Sequence, residues 1–418
     1  MIGIAEAIEI VIAAVHVQPQ EEVGLGAAFG RVLAGAVVAP RDVPAFANSQ
    51  MDGFAVRASD VRGAGREQPV RLRVSGTLAA GSAAELAVST GCAVRIMTGA
   101  PIPRGADAVV RVEDTEGDGD QVAILVEAPP GQFVRPAGED VRAGETVLER
   151  GRVIGEADVG LIASLGRPTV PVGVRPRVAI LATGDELVPL GEPLGPGQIY
   201  NSNAYTLAAA VRRSGGEPVP FGIVRDDRDS LRAAYLAAAR CDAILSTGGV
   251  SVGDFDYVKQ IMDEIGLERR FWQVAQKPGK PITFAEQAGR LYFGLPGNPV
   301  SALVCFDLYV APALRRSLGM REVFAPTAEV TMAESVATAR GLTELVRCTL
   351  ADENGRLVAR PTGTQSSGAL RSLSLADALV ISPPGEAMLG RGERARALLV
   401  RDHRLAAAHP FATARPGA

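Results

Sequence analysis

The sequence predicts a multidomain protein of mixed class, α/β plus β, with a central parallel α/β sheet domain between two β-rich units. Three observations carry that prediction. The chain has 418 residues, too many for one ordinary core. From Arg175 to about residue 321, short apolar runs alternate with helix-like segments, the pattern of βαβ units. On either side, at 57–137 and 326–403, the apolar runs are short and broken by glycine and proline, as in small all-β units.

The elements follow in chain order. The N-terminal MIGIAEAIEIVIAAVHV lacks a basic start and carries Glu6 and Glu9, so it is not a signal peptide. Ile4, Ile8, Val11, Ile12 and Val15 recur at helical spacing and predict an amphipathic helix. PRDVPAFANSQMDGFAV (40–56) is a proline-rich loop entering a strand, and GEADVGLIASLG (155–166) is a second helix. In the α/β region, RVAILATGDEL, DAILSTGG and LYFGLPGNP are strands with their exit loops. AYTLAAAVRRSGG, LRAAYLAAAR and DYVKQIMDEIG are helices. TAEVTMAES, LVRCTLADENGRLVARP and ADALVISPPG make a last β unit, closed or sandwiched, before a loose tail.

Composition narrows the function. Apolar residues make up 47% and charged residues 22%, a soluble globular profile. A formal net charge of −4 argues against a general nucleic-acid binder, and no stretch is long enough to span a membrane. The four cysteines, Cys92, Cys241, Cys305 and Cys348, form no CxxC pair, which disfavours a disulfide framework or zinc site and fits a reducing cytoplasm. His16, His403 and His409 are too scattered for a histidine-based triad.

In an open parallel sheet, ligands bind where strands end, beside a topological switch point. Three strand exits here carry unusual loops. ATGDEL bears Asp185 and Glu186; STGGVSVGDFD bears Gly248, Gly249, Ser251, Asp254 and Asp256; LPGNPVS bears Pro296, Gly297, Asn298, Pro299 and Ser301. Asn298 can cap a helix whose first position is Pro299, aiming backbone N–H groups at a phosphate. The glycine loop is no Walker loop, yet its amides suit phosphate and its aspartates suit a hard cation such as Mg²⁺. Each loop also has a plain reading, as helix start or tight turn; their occurrence on one sheet edge favours a site. In QKPGKP, Lys277 and Lys280 flank a Pro-Gly turn that is either a solvated turn or a paired anion clamp. Turn chemistry accounts for Asp52 before Gly53 and for the glycine-proline loop at Thr98.

Together these segments carry a resemblance. PxDVPxFxNSxMDGFAV, MTGAPIPxGADAVVxVED, GEDV, TGDEL, STGGVSVGDxDYV, KPGKP, LPGNPVSA and QSSG occur in one order over about 40–370. The set resembles the molybdopterin molybdenumtransferase, or MoeA, family, and is similar to the gephyrin E domain. The resemblance implies an elongated homodimer with four parts. Segments 1–50 and 139–173 would form a discontinuous linker domain, with 51–138 an inserted β subdomain. Residues 174–322 would be an adenylyltransferase-like α/β domain, 323–404 a β-barrel and 405–418 a flexible tail.

The implied reaction is insertion of molybdate into adenylylated molybdopterin, with Mg²⁺-dependent cleavage of the pyrophosphate link and release of AMP. Glu186, Asp254 and Asp256 would hold the metal, with Asp185 and Asp227 helping to position the pyrophosphate. Lys277, Lys280, Arg347 and Ser367 match the molybdate pocket, where a planar guanidinium and point-charge ammoniums suit a tetrahedral oxyanion. Ser301 and the LPGNP loop would meet the nucleotide or pterin phosphate. Asp52, Thr98 and Asp140 match motifs that the partner subunit supplies, and the upstream adenylyltransferase is a further implied partner. Two rival readings are the adenylyltransferase itself and a gephyrin-like scaffold. The flanking motifs disfavour the first, and the intact acidic and basic residues disfavour the second as a sole role.

Overall fold

The computed structural model describes residues 1–82, 86–117, 119–248, 260–262 and 264–400. Helix α1 (Ile4–Ala13) follows its apolar period: Ala7 and Val11 are fully buried, with Ile4 and Ile8 packed beside them. These residues join the core of the α/β region rather than the unit made from segments near 20–40 and 141–172, which has its own core of Leu33, Val37, Val141, Leu148, Ile162 and Val170. That second unit is closed by strand β1 (Gln20–Gly24), which pairs antiparallel with a strand about 150 residues later in the chain.

Between the two halves lies a six-stranded sheet. Its strands are β2 (Gly53–Val56), β3 (Val70–Leu78), β4 (Cys92–Ile96), β5 (Ala108–Arg111), β6 (Thr115–Glu116) and β7 (Gln121–Ile124), in the order β5-β2-β4-β3-β7-β6. Alternating side chains supply a core on each face, Phe54 and Val56 on one, Ala55 and Val94 on the other. Helix α2 (Glu156–Ser164) then leads to β8 (Thr169–Gly173), the partner of β1.

The α/β domain contains β9 (Arg177–Thr183), α3 (Ser202–Arg213), β10 (Glu217–Val224), α4 (Arg228–Ala238), β11 (Ala243–Thr247), β12 (Glu268–Gln273), β13 (Pro281–Gln287) and β14 (Arg290–Leu295). The strand order is β10-β9-β11-β14-β13-β12. The first four strands are parallel, and β9, β11 and β14 among them are buried on both faces, while β10 at the edge is only partly covered. The sheet is not parallel throughout: β13 and β12 run antiparallel at one edge. The cause is a two-residue hairpin at Ala288 and Gly289, whose φ values of 47° and 82° suit a type I′ turn. A parallel neighbour would need a crossover of about a dozen residues.

Helix α5 (Pro299–Cys305), a π-helical turn at Phe306–Val310 and α6 (Ala311–Ser317) then form one helical run. Its inner face carries Val300, Val304, Phe306, Tyr309 and Leu314, all at most 2% exposed. The last domain is a closed five-stranded barrel. Strands β15 (Thr327–Met332), β16 (Thr343–Glu353), β17 (Arg356–Pro361), β18 (Ala378–Ser382) and β19 (Arg394–Leu399) run in the order β16-β17-β15-β19-β18, and β18 returns to β16. Helix α7 (Leu370–Leu375) bridges β17 and β18 and sets Leu373 against the α/β core. Among the described residues no helix is long and apolar enough to cross a membrane.

Candidate functional site

Strand β9 has β10 on one side and β11 on the other, so the sheet's switch point lies between the ends of β9 and β11. A cleft of about 590 Å³ opens there. Gly248 follows β11 with φ 90°, and a Cβ at that position would overlap the Thr183 carbonyl oxygen, so the backbone can pass only as glycine. Thr183 Oγ1 donates to the Thr247 carbonyl at 3.3 Å, tying the two strand exits together. The Glu186 carboxylate folds back over Gly184 and lines the cleft, whereas Asp185 is exposed beside it.

Two helix starts complete the wall. Asn201 caps α3 by accepting from the Ala204 amide at 3.2 Å. Asn203 Nδ2 donates to Thr247 Oγ1 at 3.0 Å and to the Gly297 carbonyl at 2.8 Å, so a single amide joins three loops. Asn298 begins α5, but its side chain makes no capping hydrogen bond, contrary to the sequence expectation; it faces the cleft instead. Pro299 takes the first helical position as expected.

A second cleft, of about 540 Å³, shares Asn298 as a wall. Lys277, Lys280, Pro296 and Ser301 line it from the α/β domain, and Gln365, Ser366 and Ser367 from the barrel domain. The lysine turn is anchored from below. Gln276 is fully buried, donates to the Pro278 carbonyl at 3.1 Å and accepts from Tyr309 Oη. Gly279 has φ 89°, and a Cβ there would overlap Cys305 Sγ. Lys277 Nζ pairs with Glu344 Oε1 at 3.0 Å, a carboxylate only 4% exposed. Lys280 is exposed and has no ion pair among the described residues. Across the domain junction, the Val300 amide donates to the Ser367 carbonyl at 3.2 Å.

Arg347 is placed differently from the expectation that it contacts the anion. It is fully buried behind this wall. Its Nε donates to Ser372 Oγ at 2.7 Å, and its Nη2 to the carbonyls of Thr364 and Ser366 at 3.3 and 3.2 Å. Burial pushes its pKa below the ordinary value. It shapes the loop that carries Ser367 and does not line the cleft. Asp227 is likewise occupied, since it caps α4 with both oxygens on Ser230, each at 2.8 Å. The Ser230 amide, first among its partners, holds the Asp227 carboxyl below its usual range.

Asp52, Thr98 and Asp140 line neither cleft of this chain. Asp52 Oδ1 accepts from the Thr98 amide and hydroxyl, each at 2.7 Å. Asp140 is exposed, with its amide donating to the Val43 carbonyl at 3.0 Å. Gly249, Ser251, Asp254 and Asp256 lie outside the described residues. Among the described residues no group of three or more His, Cys, Asp or Glu side chains is placed to hold a metal. Sequence reasoning missed Asn203, Gln276 and Glu344. Only the first left a signal, in the Asn-Ser-Asn that opens α3.

Comparison with known proteins addresses the identity of this arrangement. Residues 2–166 match the MoeA N-terminal region (domain I and II), 179–316 a probable molybdopterin binding domain, and 329–400 the MoeA C-terminal region (domain IV). Molybdopterin molybdenumtransferase 2 of Mycobacterium tuberculosis is 42% identical over 369 residues, covering 86% of this chain and 90% of its own. The chain belongs to the molybdopterin molybdenumtransferase family.

Further family members agree. The molybdopterin molybdenumtransferase of Bacillus subtilis is 37% identical over 395 residues, covering 93% of this chain and 92% of its own. The crystal structure of a molybdopterin biosynthesis MoeA protein from Pyrococcus horikosii superposes with a TM-score of 0.83 at 33% identity, covering 96% of this chain and all of that one. The molybdopterin molybdenumtransferase family is one of transferases, and this chain is a transferase of molybdenum cofactor biosynthesis. The carboxylate-lined cleft lies within the span matched by the molybdopterin-binding domain, except for its wall at Gly368.

Proposed function

We propose that this enzyme inserts molybdate into adenylylated molybdopterin, cleaving the pyrophosphate link so that AMP leaves and the dithiolene receives molybdenum. The observation that carries the reading is the junction of two unlike clefts. One is lined by Glu186 and strand-exit backbone, the other by Lys277 and Lys280, and Asn298 belongs to both. A nucleotide-bearing pterin spans such a junction, with its phosphates at the switch point and its reactive end toward the lysines.

Each residue has a defined task. The backbone at Gly248 and Gly297 permits close approach of phosphate, and Asn203 fixes the spacing of those loops. Lys280 meets the oxyanion with a charge that no carboxylate among the described residues offsets, while the Glu344 pair orients Lys277 and dilutes its charge. Ser301 and Ser367 supply hydroxyl groups from the two domains. A Mg²⁺ fits this donor set, since Mg²⁺ is commonly held by one or two carboxylates plus substrate phosphates, and Glu186 supplies one here. When bound, it would neutralise charge as the phosphoanhydride is cleaved.

Asp52, Thr98 and Asp140 stand apart from their own chain's clefts, which supports a homodimer in which each subunit completes the partner's site. A turnover assay with adenylylated molybdopterin, molybdate and Mg²⁺, following AMP and metallated cofactor together, tests the reading. Both products should appear in step. Formation of adenylylated molybdopterin and pyrophosphate from molybdopterin and ATP instead would identify an adenylyltransferase.

A further inference from the structure

Away from both clefts, where α6 meets the barrel, lies a separate cavity of about 350 Å³. Its lining on the helical run begins at Asp307, about 12 Å beyond Pro299 at 1.5 Å per residue. Much of its wall is apolar, with Leu308, Ala311, Leu379 and Leu398 facing inward. Two guanidiniums reach it, Arg213 from α3 and Arg315 from α6, against one lining carboxylate, Asp307 in the π-helical turn.

The two arginines are not equivalent. Arg213 is already engaged, pairing with Asp307 Oδ1 and donating to the Val400 carbonyl at 3.4 Å. Arg315 makes a single hydrogen bond, from Nη1 to the Val323 carbonyl at 3.1 Å, and forms no ion pair among the described residues. A guanidinium has five N–H donors, and among the described residues a single acceptor, the Val323 carbonyl, meets them. Burial, and after it repulsion from Arg213, push its pKa down, while Asp307 opposes the shift.

We propose that this cavity binds a small monocarboxylate with an apolar body, its carboxylate paired with Arg315. Two cations facing one anion leave room for one negative charge, and a dianion would exceed it. The apolar wall favours a hydrocarbon body over a hydrated inorganic ion. The volume is near the lower end for ligand pockets and accommodates about one aromatic ring. The site is independent of the transferase reading, since none of its lining residues touches either cleft.

The test uses the full chain, with benzoate and its neutral isostere benzamide as probes, read by saturation-transfer NMR and by shift in Tm. Benzoate should bind saturably and raise Tm, and benzamide should bind at least about tenfold more weakly, the order expected for a lost charge-assisted pair. Arg315→Gln should weaken benzoate by a similar factor while leaving benzamide unchanged. The proposal is overturned if benzoate shows no saturable binding, if benzamide binds as well as benzoate, or if the Arg315→Gln protein, shown folded by circular dichroism, binds benzoate as wild type does.

Discussion

At the scale of single residues, the two candidate anion cations separate cleanly. Lys280 is exposed in the cleft, and Arg347 is buried behind its wall. Lys280→Ala should therefore raise the molybdate concentration for half-maximal turnover by about tenfold or more while Tm stays within error. Arg347→Ala should lower Tm as well, because it leaves the Thr364 and Ser366 carbonyls without their donor. Steady-state kinetics beside calorimetry checks both, and an unchanged molybdate dependence in Lys280→Ala would place the oxyanion elsewhere. In the inserted sheet, Asp52 is held below the usual carboxylate range first by the Thr98 amide and then by its hydroxyl. The Asp52–Thr98 pair therefore stabilises the fold above the unfolded carboxyl's pKa and is lost as pH falls through the lowered one. Thr98→Val removes only the hydroxyl, so NMR titration should find the Asp52 pKa raised yet still depressed.

At the scale of elements, the lysine turn depends on what lies beneath it. Gly279→Ala would drive a Cβ into Cys305 Sγ at a φ that only glycine adopts easily. We expect a loss of about 1–3 kcal/mol in stability, read from denaturant midpoints, together with a higher molybdate concentration for half-maximal turnover. How much of this was legible in the sequence follows from chain distance. Helix α1 was plain from its period, and the strand-exit loops were plain because each joins an apolar run to a glycine turn. The hairpin at Ala288 and Gly289 was not, since alanine carries no signal for positive φ. Arg347 was misplaced because a cation reads as surface until the Ser372 hydroxyl and two loop carbonyls are seen around it. Asn203 could be read as a helix-start residue, but its partners Thr247 and Gly297 lie 44 and 94 positions away.

At the scale of the whole molecule, the separation of Asp52 and Glu186 leads to a complementation test. Asp52→Ala and Glu186→Ala should each inactivate a pure preparation. After subunit exchange, mixing them should restore activity through hybrid dimers holding one intact site. No recovery despite proven exchange, shown by mass spectrometry of tagged subunits, would sink the shared-site arrangement. The junction between α/β domain and barrel has a consequence for how the chain is made. The wall residues Gln365 to Ser367 and the core residues Leu345, Leu373 and Leu379 come from the last quarter of the sequence. As the chain leaves the ribosome, the sheet can form while its cleft still lacks one side and its core one covering. The lysine-lined cleft thus comes into being only after Ser367 has been added, and a nascent chain shorter than that has no finished cleft.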